Sequence, residues 1–484
     1  MKNKLPRFIK QNQGFAAITL IGLILIIFIT GSTLVILTHI NNKNAIHSKK
    51  SSECLYLADG GIEKAIWEVT KDDTYAGENN TSLGTGSFSI SVNNIASSRY
   101  ELISTAIMPT GTLSVTKKIK AVIEKDPISR VFDYCYFINN WGWYWGHDIT
   151  AYGDVRSNGR FDFVDGPRVE GNIYAGAEID DHGTPIRGSG GDPANQHQFS
   201  EQLPMPNLQS QDYYEDKAAA SSGTVVINGA TVINEVYGDD AGESGNIVLV
   251  GTAAHPIEIN GTVVVRGDLV IKGEVTGKGT IYTGRNIYVA DNLEYKNGPA
   301  TPRPTTGQTA DQWVDANKDN DMVAYAARGN IILGDYTKDT HYGYGGYDQW
   351  YSDQYLFDMD ADPNEDGVSE RKYNWTDVET QTAITNFDNL PAGVTNFGGL
   401  ASNYTTKIEG LFYTNHAWAG RTGNDVQFDG SIISKDEAII YRSGLTFSYD
   451  ERANSRYNSD PNRFIDLGLP RIRGVYLVSW QEIR

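Results

Sequence analysis

The sequence predicts a mainly β protein on one long N-terminal α-helix: a transmembrane helix, a small strand-rich module, then a right-handed parallel β-helix. Three observations predict it. Phe15–Leu37 is an apolar run without Asp, Glu, Lys or Arg, long enough to cross a hydrocarbon core. Residues 87–125 alternate apolar and polar positions, the period of half-buried strands. From about residue 149 glycines recur six residues apart between short Val/Ile/Tyr segments, as a solenoid that turns after each short strand requires. A chain of 484 residues exceeds one typical core and implies two or three domains. The expected division is a basic leader at 1–14, the transmembrane helix at 15–38, a helix-and-strand module at 39–125, and a β-helical ectodomain at 126–484. Long insertions are expected at about 178–222 and 296–395.

The helix comes first. A cleavable secretory signal has a shorter apolar core followed by a small-x-small site, so this run reads as a membrane anchor. Lys2, Lys4, Arg7 and Lys10 precede it with no acid among them, which favours a cytoplasmic N-terminus. Lys43, Lys49 and Lys50 oppose that vote, and the extracytoplasmic composition of the remaining chain decides it. Beyond the membrane, Cys54, Leu57, Ala58, Ile62, Ala65, Ile66 and Val69 recur at three- and four-residue spacing, an amphipathic stripe. One helix is therefore expected from Phe15 to about Val69. Gly60-Gly61 interrupts it at roughly 1 kcal/mol per glycine relative to alanine, which predicts a kink or a close contact there.

A short basic leader, Gly14-Phe15, and an apolar helix emerging into an amphipathic half together resemble the class III signal of type IV pilins and pseudopilins. The resemblance implies that a prepilin peptidase cuts after Gly14 and that Phe15 becomes the methylated N-terminus. SSECLYLADGGIEKAIWEV, residues 51–69, resembles the helix segment of PilX-like pilus-assembly proteins, of the form alanine-acidic-x-Gly-Ile/Leu-Glu-x-Ala. That match places Glu63 on the assembly helix. The likeness covers about the first 125 residues. Most major pilins carry Glu at the fifth mature position, thought to pair with a neighbouring subunit's N-terminal amine. Thr19 stands there in this chain; its hydroxyl can bond to its own helix backbone but cannot neutralise an amine. K-type pseudopilins are similar in this respect. The alternative is an uncleaved signal anchor holding an unrelated ectodomain.

In the following module SFSISVNNI (87–95) and TLSVTKKIKAVIEK (112–125) read as strands. Asn79-Asn80 and Gly84-Thr85-Gly86 read as turns, and Asp126-Pro127 as the domain boundary. NNWGWYWGHD (139–148) sets Trp141, Trp143, Tyr144 and Trp145 among glycines. The favoured reading is a hydrophobic cap on the first coil, because solenoid ends must be covered; the alternative is an aromatic carbohydrate-binding patch. Gly261, Gly267, Gly273 and Gly279 form the clearest corner series, and Gly223 and Gly229 an earlier one. YGDVRSNGRF and VEGNIYAGAEI read as earlier coils, IEGLFYT and FDGSIISKDEAIIYRSGLTFSYD as later ones. This region also resembles the β-helical C-terminal part of many PilX-like proteins, which implies fold alone.

DMDADPNEDGVSE (358–370) carries the sharpest ligand pattern. Asp362, Asn364, Asp366 and Gly367 fit D-x-[DN]-x-[DN]-G, which delivers hard oxygens to one point around a turn. Glu370 falls ninth and Tyr373 twelfth, so the expectation is a non-EF-hand Ca²⁺ loop with Asp358 and Asp360 extending it. Glu178-Ile179-Asp180-Asp181-His182 is the one compact acid/His group, and an exposed acidic loop is the favoured reading of it. No zinc spacing, nucleophile elbow or phosphate loop occurs, so no enzyme activity is expected. Cys54 and Cys135 leave a bridge and two separate thiols equally open. A net charge of −19 argues against nucleic acid as a partner.

The expected function is that of a minor pilin or pseudopilin of a type IV pilus or related secretion system, displaying a large β-helical surface or tip domain in filament assembly or adhesion. A surface-tethered polysaccharide-active β-helix enzyme and an adhesin on an uncleaved anchor are the alternatives. The implied partners are the inner or cytoplasmic membrane, prepilin peptidase, other pilin or pseudopilin subunits, and a surface ligand or carbohydrate. The chain is expected to cross the cytoplasmic membrane once with its C-terminal domain outside, and then to reach the pilus or cell surface.

Overall fold

The computed structural model describes residues 13–72, 74–96, 98–110, 113–208, 211–335, 387–402, 404–423, 425–436, 438–441 and 444–483. A long N-terminal apolar helix precedes a strand-rich, mainly β region. The chain divides into two units: residues 1–125 with Gly474–Arg484, and Asp126–Arg473.

In the first unit, helix α1 runs from Gln13 to Lys71, 59 residues, or about 88 Å at 1.5 Å per residue. Its apolar half is exposed from Phe15 through Ile40, whereas Cys54, Leu57, Ala58, Ile62, Ala65 and Val69 are buried. They pack on β2 (Gly86–Ala96), β3 (Arg99–Thr110) and β4 (Leu113–Lys125) through Phe88, Ile90, Leu102, Ala106, Ile119 and Ala121. The helix continues unbroken through Gly60-Gly61. Gly61 makes the close contact: a Cβ there would lie 2.2 Å from Ser104 Oγ, while Gly60 faces open space.

Two details differ from expectation. Asn79-Asn80 is not a turn but a bulge within β1 (Gly77–Leu83), where the register to β2 shifts between Glu78 and Thr81. Asn80 takes φ 52° there, a left-handed conformation that asparagine tolerates, and its N–H donates to Ser89 Oγ at 2.9 Å. The second difference is Val475–Ile483, expected within the ectodomain. It pairs antiparallel with β4 and closes the sheet order β1-β2-β3-β4-terminal strand. VYLVSWQEI suits either sheet by local propensity; the otherwise free edge of β4 takes it.

The second unit stacks parallel strands in three ladders. In the first, Val263–Val265, Ile281–Thr283, Tyr325–Ala327, Phe412–Thr414, Ile432–Ser434, Tyr136–Ile138, Val155–Ser157 and Ile173–Ala175 lie side by side. In the second, Ile408, Phe428, Phe447, Ala151 and Val169 are successive partners. In the third, Val248, Val270, Tyr288, Ile332 and Ala419 follow one another. The chain visits the ladders in turn, so Val263 meets Ile281 eighteen residues on. Six-residue glycine spacing is one third of that coil. Gly261 and Gly273 have φ of 69° and 92°, which favours glycine. Gly267 and Gly279 serve close approach instead: a Cβ would lie 2.2 Å from Asn246 Oδ1 and 2.1 Å from Gly261 O respectively.

An aromatic file runs along the interior. Tyr325, Phe412, Trp418, Phe428, Phe447, Tyr144 and Phe161 touch in sequence, with ring centroids 4.7–6.0 Å apart. Outside, the first ladder is covered by helix α2 (Gln211–Ser221), whose Tyr214 ring stacks 4.0 Å from that of Tyr282. Gly223 and Gly229 do not mark a coil. They flank and turn an antiparallel hairpin, Thr224–Ile227 with Ala230–Asn234, which also pairs antiparallel with Ile257–Asn260. Asn228 and Gly229 both have positive φ, the two-residue turn that Asn-Gly favours.

Stack order is not chain order. Tyr136–Ile138 lies between Ile432–Ser434 and Val155–Ser157, so the last coil of the chain stacks on the first. Tyr136–Ile138 and Ile149–Tyr152, which flank the indoles, have neighbours on both sides, so the indoles at 141–145 do not cap the end of the stack, although Gly142–Trp145 is the edge of its own three-stranded sheet.

Candidate functional site

At the N-terminus, Gly14 and Phe15 lie inside the first turns of α1, with the Phe15 ring 76% exposed. Thr19 Oγ1 donates to Phe15 O at 2.5 Å. Thr30, Ser32, Thr33 and Thr38 likewise donate to carbonyls four residues back. These hydroxyls need no water, which suits an apolar surrounding. Glu63 is exposed, off the buried stripe. The helix is long and apolar enough to cross a membrane. Asp358, Asp360, Asp362, Asn364, Asp366 and Glu370 all lie outside the described residues.

The acid/His group of 178–182 meets the indole segment on one face. A three-stranded parallel sheet of Gly142–Trp145, Phe161–Val164 and Ile179–Asp180 occupies the third side of the coils that begin at Tyr136, Val155 and Ile173. Alternation turns Tyr144, Phe161 and Phe163 inward and leaves Trp143, Trp145, Asp162 and Asp180 on the other side. Trp141 and Trp145 are 44% and 67% exposed, whereas Asp162 is buried. Asp162 accepts from Trp141 Nε1 at 2.7 Å and from Arg160 Nε at 2.6 Å. His182 Nε2 stands 3.5 Å from Asp162, and its backbone N–H donates to Asp180 Oδ1 at 2.8 Å. Arg160 also bonds Asp180. The ligand atoms of Asp162, Asp180 and His182 fall within 4.8 Å of one another, but Arg160 already supplies a positive charge between the two carboxylates.

A buried polar ladder runs beside the third ladder, and sequence reasoning missed it. Asn246 Oδ1 accepts from Asp268 N, Asp268 Oδ1 from Asn286 N, and Asn286 Oδ1 from Asn330 N, at 2.8–2.9 Å each. Asn330 Oδ1 then accepts from Ala417 N at 3.2 Å and lies 2.6 Å from His416 Nδ1. Its signal was legible: Gly245-Asn246-Ile247, Gly267-Asp268-Leu269, Arg285-Asn286-Ile287 and Gly329-Asn330-Ile331 repeat one pattern. Burial lowers the His416 pKa to about 4, with Lys435 acting in the same direction.

The second ladder carries Glu409 and Asp429 in register. Burial pushes Glu409 up and Asp429 up to about 6. A perturbed carboxylate pair can mark a hydrolase, but these two are engaged. Glu409 accepts from Tyr295 N at 2.6 Å and lies 3.2 Å from Lys407 Nζ; Asp429 accepts twice from Gln427 Nε2 at 2.9 Å. Nearby, the buried Arg452 donates to Asp450 at 2.7 Å and to the carbonyls of Asn317, Asn320 and Asp321, tying the 296–321 segment to the stack. Cys54 and Cys135 are both free and buried.

No protein-family model and no curated protein matches the chain. Among solved structures, the competence-associated pilin ComZ from Thermus thermophilus aligns with 90% of this chain and 98% of its own, at 11% identity and a TM-score of 0.33. A likeness that distant does not establish a shared fold.

Proposed function

We propose that this chain is a minor, filament-associated subunit of a type IV pilus or related secretion system, held in the cytoplasmic membrane by α1 with its second unit outside. The observation that supports the reading most is the division of one helix into two halves. Its first half is apolar and exposed from Phe15 to Ile40; its second buries Cys54 through Val69 on an antiparallel sheet. A helix so divided suits a subunit that leaves the bilayer and packs with others through the same apolar surface. In this reading prepilin peptidase cuts between Gly14 and Phe15, and Phe15 is methylated. Thr19, bonded to its own backbone, leaves a neighbour's amine unpaired, which suits a subunit present in few copies at the tip or in the initiating complex. The three ladders are read as the walls of a parallel β-helix. The unit acts by binding and not by catalysis, and Ca²⁺ orders the 358–370 loop.

Mass spectrometry of the mature N-terminus from a sheared filament fraction tests the assignment. The expected product begins with N-methylated Phe15, at an abundance well below that of a separate major subunit. Intact Met1-containing protein in assembled filaments, or one-to-one stoichiometry with the major subunit, overturns it.

A further inference from the structure

We infer that the outward face of the 142–145, 161–164 and 179–180 sheet is a binding surface for an uncharged polysaccharide. Two exposed indoles, Trp141 and Trp145, flank the partly buried Trp143, which packs against the apolar cluster around Val248, Val270 and Tyr288. The rings of Trp141 and Trp143 lie 6.3 Å apart with planes 23° from parallel, and Trp145 turns edge-on to Trp143 at 6.1 Å. The exposed rings of Trp141 and Trp145 offer apolar surface to the C–H faces of pyranose rings. On the next strands, at the same heights, stand the groups that hydroxyls need. Asp162 is in register with Trp143, and Asp180 with Asp162.

The polar groups are held before any ligand arrives. Asp162 is fixed by Trp141 Nε1 and Arg160 Nε, and Arg160 is held in turn by Asp180, so little side-chain freedom is lost on binding. Buried stems with exposed edges distinguish this face from the rest of the same side of the stack. There Val248, Val270, Tyr288 and Ala419 are apolar and pack with Phe397 and Leu400, and Trp143 packs against the same cluster. The part left open is the part that mixes indoles with paired charges, which suits a ligand both apolar and hydroxylated better than an apolar protein surface.

Charge narrows the ligand. Glu178, Asp180 and Asp181 lie within five residues of chain and add to Asp162, against Arg160 and a histidine. That acidic excess repels polyuronates and other anionic glycans and leaves hydroxyl- or acetamido-bearing polysaccharides. The inference does not depend on how α1 is used, since every residue in it belongs to the second unit.

The test is retention of the full-length protein in detergent on insoluble chitin, cellulose and cross-linked dextran at 0.15 M salt, with alginate gel as the anionic comparison. Retention on at least one neutral matrix and not on alginate is expected. Trp145→Ala, at an exposed position, should weaken that retention about tenfold, or about 1.4 kcal/mol, with an unchanged thermal melt. Asp162→Asn should weaken retention on the neutral matrix, although its less negative net charge would favour any non-specific adsorption to alginate. Equal retention of wild type and Trp145→Ala, retention on alginate alone, or no retention on any neutral matrix overturns the inference.

Discussion

His416 offers the sharpest probe of the buried polar ladder. Its side chain is almost fully enclosed, and its Nδ1 faces Asn330 Oδ1 at 2.6 Å, so the neutral tautomer with Nδ1–H donating fits the site. Burial holds its folded pKa at about 4 against the ordinary 6.5, and Lys435 adds to the effect. Asp436 Oδ2, 3.4 Å from Nε2, works against it, so the shift sets an upper bound. Because the folded value is the lower one, the unfolded chain binds the extra proton. Stability is therefore fully present above pH 6.5, is lost as pH falls from 6.5 towards 4, and changes no further below that. The full shift corresponds to about 3 kcal/mol.

His416→Asn removes the titration while its amide N–H keeps a donor for Asn330. Guanidinium unfolding of the full-length protein in detergent, followed by tryptophan fluorescence between pH 7 and 4, measures the difference between wild type and variant. At pH 7 the wild type should be the more stable by about 1–2 kcal/mol, for lost packing. As pH falls to 4 that advantage should shrink or invert by up to about 3 kcal/mol. Asp429, raised to about 6, stabilises in the opposite direction as it gains a proton between pH 6 and 4, but it is common to both proteins and cancels in the difference. Stability curves that stay parallel from pH 7 to 4 would refute the buried neutral histidine.

The glycine pair on α1 should separate cleanly: Gly60→Ala should raise stability by about 1 kcal/mol, and Gly61→Leu should lower it by about 1–3 kcal/mol through the clash with Ser104 and Phe88, both read from thermal melts. Calcium at millimolar concentration should raise the melting temperature of the full-length protein, and Asp362→Ala with Asp366→Ala should abolish the rise; calorimetry without binding heat would reduce 358–370 to a solvated turn.

How much of this was legible depends on whether the signal is local. The stripe Cys54–Val69 was readable because a 3.6-residue period leaves one answer for which face is buried. The glycine spacing was readable only in part: Val263 meets Ile281 eighteen residues on, but Gly223 and Gly229 lie at an antiparallel hairpin. Partner identity was not readable. Parallel strands of Val, Ile and Tyr carry no mark of which neighbour they take, so nothing in Tyr136-Phe137-Ile138 announces Ile432–Ser434. The misreading of Trp141–Trp145 as a cap follows from that gap, because it assumed that the first coil in the chain is the first in the stack. The Asn246–Asn330 series was readable and was missed, since its repeats are separated by insertions that hide the period.

The rotated stacking order also brings the two ends of the second unit together. In a solenoid wound in chain order, the first and last residues stand at opposite ends of the axis, and such a unit cannot be inserted into a short loop. Here the chain begins the stack in its middle and returns to the same level. Ile128 forms an antiparallel bridge with Arg471, and Ile472 N donates to Pro127 O at 2.9 Å. The two ends of Asp126–Arg473 thus lie side by side, and in the chain this unit stands between β4 and Val475–Ile483. The stacking order has a folding consequence. Tyr136 pairs with Ile432 across nearly 300 residues, so the coils at 136–175 keep an open edge until the last coils exist. Phe447 closes that edge, in register with Ala151 and stacked on Tyr144 with ring planes 9° apart.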